Sequence, residues 1–250
     1  MPSVDLNADV GEGAASGDEE ARLISLVTSV SIGCGVHAGT PADMEAAVAA
    51  AVSSGVVVGA HPSFPDRQGF GRRAMHMDRD DLAASVARQI ATLDAVVRRA
   101  GGVVRYLKPH GALYHLSCTD DTIARLLGQV ARRFGIDHLL LAAGSPAAPA
   151  ARQLGMTVTG EAFVDRRYRA DGSLVPRGQP GAVLEDEPSV VAQALALVVE
   201  HRAPVSGRRW VTVEASSLCL HGDTPGAVRL ASAVAYALGA AGVQLASFVG

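Results

Sequence analysis

The chain has 250 residues, 48% of them hydrophobic and 19% charged, with a formal net charge of −3. This composition fits a folded globular protein rather than a disordered one, and its mild acidity gives no electrostatic case for nucleic acid or an anionic membrane surface. Three scattered cysteines, Cys34, Cys118 and Cys219, form neither a disulfide framework nor a Cys-x-x-Cys metal site. With no secretory signal or membrane span expected, the location read from the sequence is the cytoplasm, and a small-molecule ligand is the better expectation.

Apolar runs alternate with helical stretches along the chain, the pattern of repeated βα units around a parallel sheet. Strands are expected at Val4–Val10, Val30–Cys34, Val56–Ala60, Val103–Leu107, His138–Ala142, Thr157–Ala162 and Ser217–Leu220, giving seven units. Helix starts are marked by Thr40-Pro41, Asp80-Asp81, Thr119-Asp120-Asp121, Ser145-Pro146, Asp186-Glu187-Pro188 and Thr224-Pro225, each with a capping oxygen, a proline or a first-turn carboxylate. Leu82, Val86, Ile90, Leu93 and Val97 form a helical stripe suited to packing outside a sheet or barrel. Long loops follow the third strand (His61 to Met77) and the sixth (Phe163 to Glu185), placing a lid and rim at the strands' carboxyl ends. The stretch Ala203 to Glu214, with Trp210, reads as a small hairpin on the opposite face. Nothing divides the chain, so residues 1–250 read as a single α/β domain.

Four of the eight histidines, His37, His61, His110 and His221, close apolar runs beside Gly or Pro, where the site of an α/β fold is built. Lys108 is the only lysine among 22 Lys and Arg residues. Strand alternation puts Asp5, Asn7 and Asp9 on one face, Tyr106, Lys108 and His110 on another, and Cys219 with His221 on a third. In a β/α barrel the outer strand face meets helices and must be apolar, so these polar faces point into the lumen. The bland alternative is a buried polar network in which Lys108 neutralises Asp5 or Asp9 and the histidines tie down loops. His76, His138 and His201 have no such context and read as structural or exposed.

Several chemistries lose their support. The G-x-x-x-x-G-K-[ST] phosphate loop is excluded because Pro109 follows the only lysine. Gly11-Glu12-Gly13 and Gly33-Cys34-Gly35 miss the dinucleotide spacing, and no G-x-S-x-G elbow occurs. Cys34 near His37 reads as inert core rather than as a nucleophile. Two versions of hydrolysis remain. Asp9 with two or three of His37, His61 and His110 would suit a divalent metal ion; without metal, Asp9 or a histidine would be the general base, with Lys108 and loop arginines stabilising anionic charge.

The segments Asp5-Leu-Asn-Ala-Asp-Val-Gly-Glu12, Gly35-Val-His-Ala-Gly39, Gly59-Ala-His-Pro-Ser-Phe-Pro-Asp-Arg-Gln-Gly-Phe-Gly-Arg-Arg73 and Leu107-Lys-Pro-His-Gly-Ala-Leu-Tyr114 carry a resemblance. Glu161-Ala-Phe-Val-Asp-Arg-Arg-Tyr168, Leu174-Val-Pro-Arg177 and Cys219-Leu-His-Gly-Asp223 continue it in the same order. Together they resemble the LamB/YcsF family, the A subunits of bacterial 5-oxoprolinase. The resemblance implies a seven-stranded, TIM-like parallel β/α barrel of the glycoside hydrolase/deacetylase type. It also implies ATP-dependent hydrolysis of 5-oxo-L-proline to L-glutamate, ATP being a cosubstrate used with partner subunits B and C. Ala8 replaces a cysteine frequent in the family motif, at a position facing the helices. On this reading Asp9, His61, Lys108 and His110 are catalytic, while Asn7, His37, Arg72, Arg73, Arg166 and Arg177 bind substrate, Arg167 lying in the same sixth loop. The competing readings are a stand-alone metal-dependent deacetylase or amidohydrolase, and a non-catalytic scaffolding subunit.

Overall fold

The structure, a computed structural model, describes residues 2–15, 17–205 and 209–249. Its first strand, β1 (Ser3–Val10), buries Leu6, Ala8 and Val10 under the helices and turns Asp5, Asn7 and Asp9 inward. Helix α1 (Gly17–Ile24) has an acidic first turn, Asp18, Glu19 and Glu20, which complements the helix dipole. Then come β2 (Ser29–Gly33) and α2 (Pro41–Ser53), whose start is fixed by a capping box between Thr40 and Asp43. After β3 (Val57–His61), helix α3 (Arg79–Arg99) buries the whole expected stripe from Leu82 to Val97.

Strand β4 (Val104–Leu107) is followed by two helices, α4 (Gly111–Thr119) and α5 (Asp121–Arg132); Asp120 caps the second by accepting from the Thr122 and Ile123 amides. The chain continues through β5 (His138–Ala142), α6 (Ala148–Arg152), β6 (Thr157–Phe163) and α7 (Glu187–Val199). It ends with β7 (Arg202–Val205), β8 (Arg209–Thr212), β9 (Ser217–His221), α8 (Ala227–Ala240) and β10 (Gln244–Leu245). Among the described residues, no helix is long and apolar enough to cross a membrane.

Strands β1, β2, β3, β4, β5, β6 and β9 pair in parallel in that order, and β9 returns to β1, closing a seven-stranded barrel ringed by helices. Every expected strand boundary lies within one residue of the observed one. The barrel's lower end is plugged by the carboxyl-terminal segment: Phe248 packs against Tyr106 at 5.1 Å between ring centroids, and Val249 joins Leu140. The Tyr106 ring lies over Gly59, where a Cβ would come within 2.3 Å of it.

The hairpin corrects one expectation. β7 and β8 do pair antiparallel, with residues 206–208 outside the described set, but they do not sit on the opposite face. Val211 and Thr212 line a cavity with Gly172, Ser173 and Leu174, because the long loop after β6 folds back onto the hairpin.

Candidate active site

The polar strand faces converge at the carboxyl ends of the strands. Lys108 Nζ donates to Asp9 Oδ1 at 2.8 Å and to Asn7 Oδ1 at 3.2 Å, and lies 2.8 Å from Glu161 Oε1 and 3.2 Å from Cys219 Sγ. Burial disfavours an ammonium there, but Asp9, Cys219 and Glu161 outweigh it and raise the Lys108 pKa well above its ordinary value. Asp9 is likewise opposed by burial, yet His61 and Lys108 hold its carboxyl well below the usual range. The centre of the barrel is therefore an ionised cluster.

Beside it stand three histidines, two of them with fixed tautomers. His61 Nδ1 donates to the Lys108 carbonyl at 2.7 Å and His110 Nε2 to the Phe70 carbonyl at 2.8 Å, since a carbonyl can only accept. That leaves His61 Nε2 and His110 Nδ1 facing each other at 3.0 Å, an arrangement that needs one shared proton or a cation. Burial and the neighbouring rings of His61 and His37 push the His110 pKa well down; Asp9 overcomes burial to raise that of His61. The proton thus belongs to His61. Glu12 Oε1 completes the group, 2.9 Å from His37 Nε2, 3.3 Å from His110 Nδ1 and 3.8 Å from His61 Nε2.

Among the described residues, Glu12, His61 and His110 offer donor atoms within 4.8 Å of one another, all buried. Both histidines are locked by second hydrogen bonds with their remaining nitrogens converging, a donor set that fits a small divalent ion. Asp9, Cys219 and His221 also approach one another, but the Lys108 ammonium already supplies the positive charge to Asp9 and Cys219.

Over this cluster opens a cavity of about 410 Å³, walled by Asp9, His61, Lys108, His110 and His221 and by arginines of both long loops. Arg72 pairs with Asp223 at 2.6 Å, and Arg177 reaches the same carboxylate at 3.1 Å. Arg166 is 6% exposed; its Nη2 donates to the Val175 carbonyl at 2.7 Å, while its Nε and the Arg177 Nη2 are buried without a partner among the described residues. A buried guanidinium lacking a counter-ion is costly, so these donors suit an incoming anion.

Three expected substrate contacts lie elsewhere. Arg73 is held by Asp66 in a local turn, its side chain 60% exposed, and does not line the cavity. Asn7 sits beneath the cavity wall, its amide consumed by Glu161, Ser217 and the Leu218 carbonyl. His37 is enclosed, stacked on His110 at 4.0 Å and bonded to Glu12, so of the expected metal candidates it and Asp9 fall outside the donor group of Glu12, His61 and His110. Sequence reasoning left Glu12, Glu161, Asp165 and Asp223 unassigned. Glu161 had a signal: Thr157, Thr159 and Glu161 alternate along β6 as Asp5, Asn7 and Asp9 do along β1.

A model of the LamB/YcsF family matches residues 4–250. The solved structure of a lactam utilization protein from Thermus thermophilus is similar at 38% identity, with a TM-score of 0.88 over 98% of this chain and 100% of that one. Two more distant structures share the fold alone. A T48 deacetylase with substrate is 15% identical, with a TM-score of 0.51 over 98% of this chain and 87% of its own. A truncated 3-deoxy-D-arabino-heptulosonate 7-phosphate synthase from Thermotoga maritima is 12% identical, with a TM-score of 0.52 over 97% and 89%.

Proposed function

This chain belongs to the LamB/YcsF family, and from that premise we propose that it is the A subunit of an ATP-dependent 5-oxoprolinase, opening the lactam of 5-oxo-L-proline to give L-glutamate. The similarity to a lactam utilization protein supports the substrate class. The observation that carries the reading is the pairing of two buried guanidinium donors that lack partners among the described residues, Arg166 Nε and Arg177 Nη2, with a wall of Asp9 and His61 suited to activating water. A cyclic amide bearing a carboxylate meets both.

A five-membered lactam resists water because attack must break amide resonance. Phosphorylating its oxygen turns a poor electrophile into a reactive one, and that is the role assigned to ATP. The chain has no phosphate loop, so phosphorylation is assigned to partner subunits B and C. Asp9, 3.4 Å from the protonated His61, takes the proton of the attacking water. Lys108 and the His61 imidazolium keep Asp9 ionised and oriented, His110 Nδ1 accepts a hydrogen bond from the protonated His61, and Arg72, Arg166 and Arg177 hold carboxylate or phosphate oxygens. A divalent ion, if bound by Glu12, His61 and His110, would polarise the lactam oxygen and acidify water.

The test is glutamate formation from 5-oxoproline and ATP, measured with the chain alone and with candidate B and C subunits. Glutamate is expected only from the reconstituted mixture. Activity of the chain alone without ATP would overturn the coupled reaction in favour of a stand-alone amidohydrolase. An unchanged yield with Lys108→Ala or Asp9→Asn in a folded complex would reduce the chain to a scaffold.

A further inference from the structure

Asp165 and His221 take no part in the proton path described above, yet they are built as a pair. Asp165 follows β6 and is fully buried; His221 ends β9, 56 residues later. Both carboxylate oxygens lie 3.0 Å from His221 Nδ1, and one also accepts from the His221 amide at 3.2 Å and the Thr224 hydroxyl at 2.7 Å. Burial works to raise the Asp165 carboxyl, but His221 and Thr224 outweigh it and hold it below the ordinary range. An ionised carboxylate only accepts, so Nδ1 carries the proton and Nε2 is the free nitrogen of a residue on the cavity wall. Phe163 stacks on the ring at 5.5 Å and 19°, fixing its plane.

The placement suits a second proton carrier. His221 lies opposite Asp9 in the register of β1 with β9, while His61 reaches Asp9 from β3 on the other side. Asp9 and Cys219 offer atoms within 4.8 Å of a His221 ring nitrogen, and Asp223 adds its charge to the ring's surroundings. Asp165, Asp9 and Asp223 are thus the acidic groups around it.

We propose that His221 is a catalytic acid that protonates the departing ring nitrogen, with Asp165 as its positioning residue; this rests on the lactam reading above. Water oxygen bonds to the ring carbon that bears the phosphorylated oxygen as one water proton passes to Asp9. The C–N bond then breaks, its electron pair stays on nitrogen, and nitrogen takes the proton from Nε2 of the protonated His221, leaving an acyl phosphate. A second water cleaves the acyl phosphate to the side-chain carboxylate and inorganic phosphate, and the proton held at Asp9 returns to His221 through solvent, so two waters are consumed with one ATP and each side chain is restored.

In the reconstituted complex, His221→Gln should lower kcat roughly 10²- to 10⁴-fold with KM within about threefold, and should remove the limb of the pH–rate profile that requires an acid. Asp165→Asn should lower kcat and shift that limb, and Asp165→Glu should recover part of the loss, which a merely structural role would not do. Nitrogen-15 NMR of the unmutated chain, labelled at histidine, should place the neutral-ring proton of His221 on Nδ1. A kcat within about threefold of wild type for folded His221→Gln, or a neutral ring protonated on Nε2, would overturn the assignment. A wild-type complex that forms no glutamate refutes the lactam reading; glutamate formation that survives His221→Gln refutes the acid alone.

Discussion

Replacing Lys108 with methionine keeps most of the side-chain volume and removes the charge shared by two buried carboxylates. Asp9 Oδ1 and Glu161 Oε1 each lie 2.8 Å from Nζ, and the side chains are 2%, 5% and 0% exposed for Lys108, Asp9 and Glu161, so water cannot substitute. Removing one partner of such a pair costs about 3–5 kcal/mol. For a domain of this size each 1 kcal/mol lowers Tm by about 2–4 °C, so a fall of roughly 6–20 °C is expected. The pH dependence identifies the cause. Against burial, His61 and Lys108 hold the Asp9 carboxyl well below 3.8, so its contribution is complete above that unfolded value and is lost as pH falls through the folded one. Without Lys108 the stranded carboxylate charge is relieved by protonation in mild acid, while the wild type keeps its ion pair to lower pH, so the gap between the proteins narrows by pH 4. Adding Glu161→Gln should recover about 1 kcal/mol or more in a double-mutant cycle. Urea unfolding and thermal melts followed by circular dichroism at pH 8 and pH 4 measure all four proteins of the cycle, the Glu161→Gln single variant included. A Tm loss below about 2 °C, or an equal loss at both pH values, would refute the reasoning.

Arg166→Met should raise the KM for 5-oxoproline roughly 10- to 100-fold, the worth of a charge-assisted hydrogen bond. Its thermal stability should hold or rise, because the guanidinium is buried without a carboxylate partner among the described residues; steady-state kinetics beside a thermal melt reads both effects. Burial lifts the Asp5 carboxyl to about 6 against the hydroxyls of Ser217, Thr28 and Ser29. The folded state therefore holds this proton more tightly, and stability should decline by about 3 kcal/mol as pH rises from 4 through 6, a slope that Asp5→Asn should abolish in pH-resolved unfolding. Gly59→Ala should cost several kcal/mol in the same assay, since its Cβ would meet the buried Tyr106 ring at 2.3 Å.

The barrel was legible because its strands are buried on both faces, and the polar alternation along β1 and β4 distinguished lumen from helix side. Lys108 stood out as the lone lysine, and its place against Asp9 follows from two inward faces at matching heights. Glu12 could not be placed this way. It lies beyond β1 between Gly11 and Gly13, whose φ values of 72° and 69° turn the chain so that its carboxylate folds over to His37; no strand period extends through such a turn. Asp165 and His221 meet because β6 pairs with β9, a neighbourhood that exists only once the intervening helix and hairpin are excluded from the barrel. Arg72 and Arg73 are adjacent in sequence, and only the local turn around Asp66 decides that the first reaches the cavity and the second does not.

The charges of the site fall into two populations with different consequences. At the centre, Lys108 is matched by Asp9 and Glu161, and the ions there are spent on one another. At the rim, Arg72 and Arg177 share the single carboxylate of Asp223, and among the described residues Arg166 has only a backbone carbonyl. A ligand entering the cavity gains little by displacing the central pair, where a new charge would strand an existing one. It gains much by supplying negative charge to the rim, where buried guanidinium donors are already oriented and unpaired. Affinity for an anion is therefore vested in the loops after β3 and β6, and reactivity in the strand ends beneath them, so a substrate must reach from one layer to the other. On the proposed reading, a small ring amide carrying its own carboxylate would meet the rim arginines with its charge and Asp9 and His61 with its carbonyl carbon.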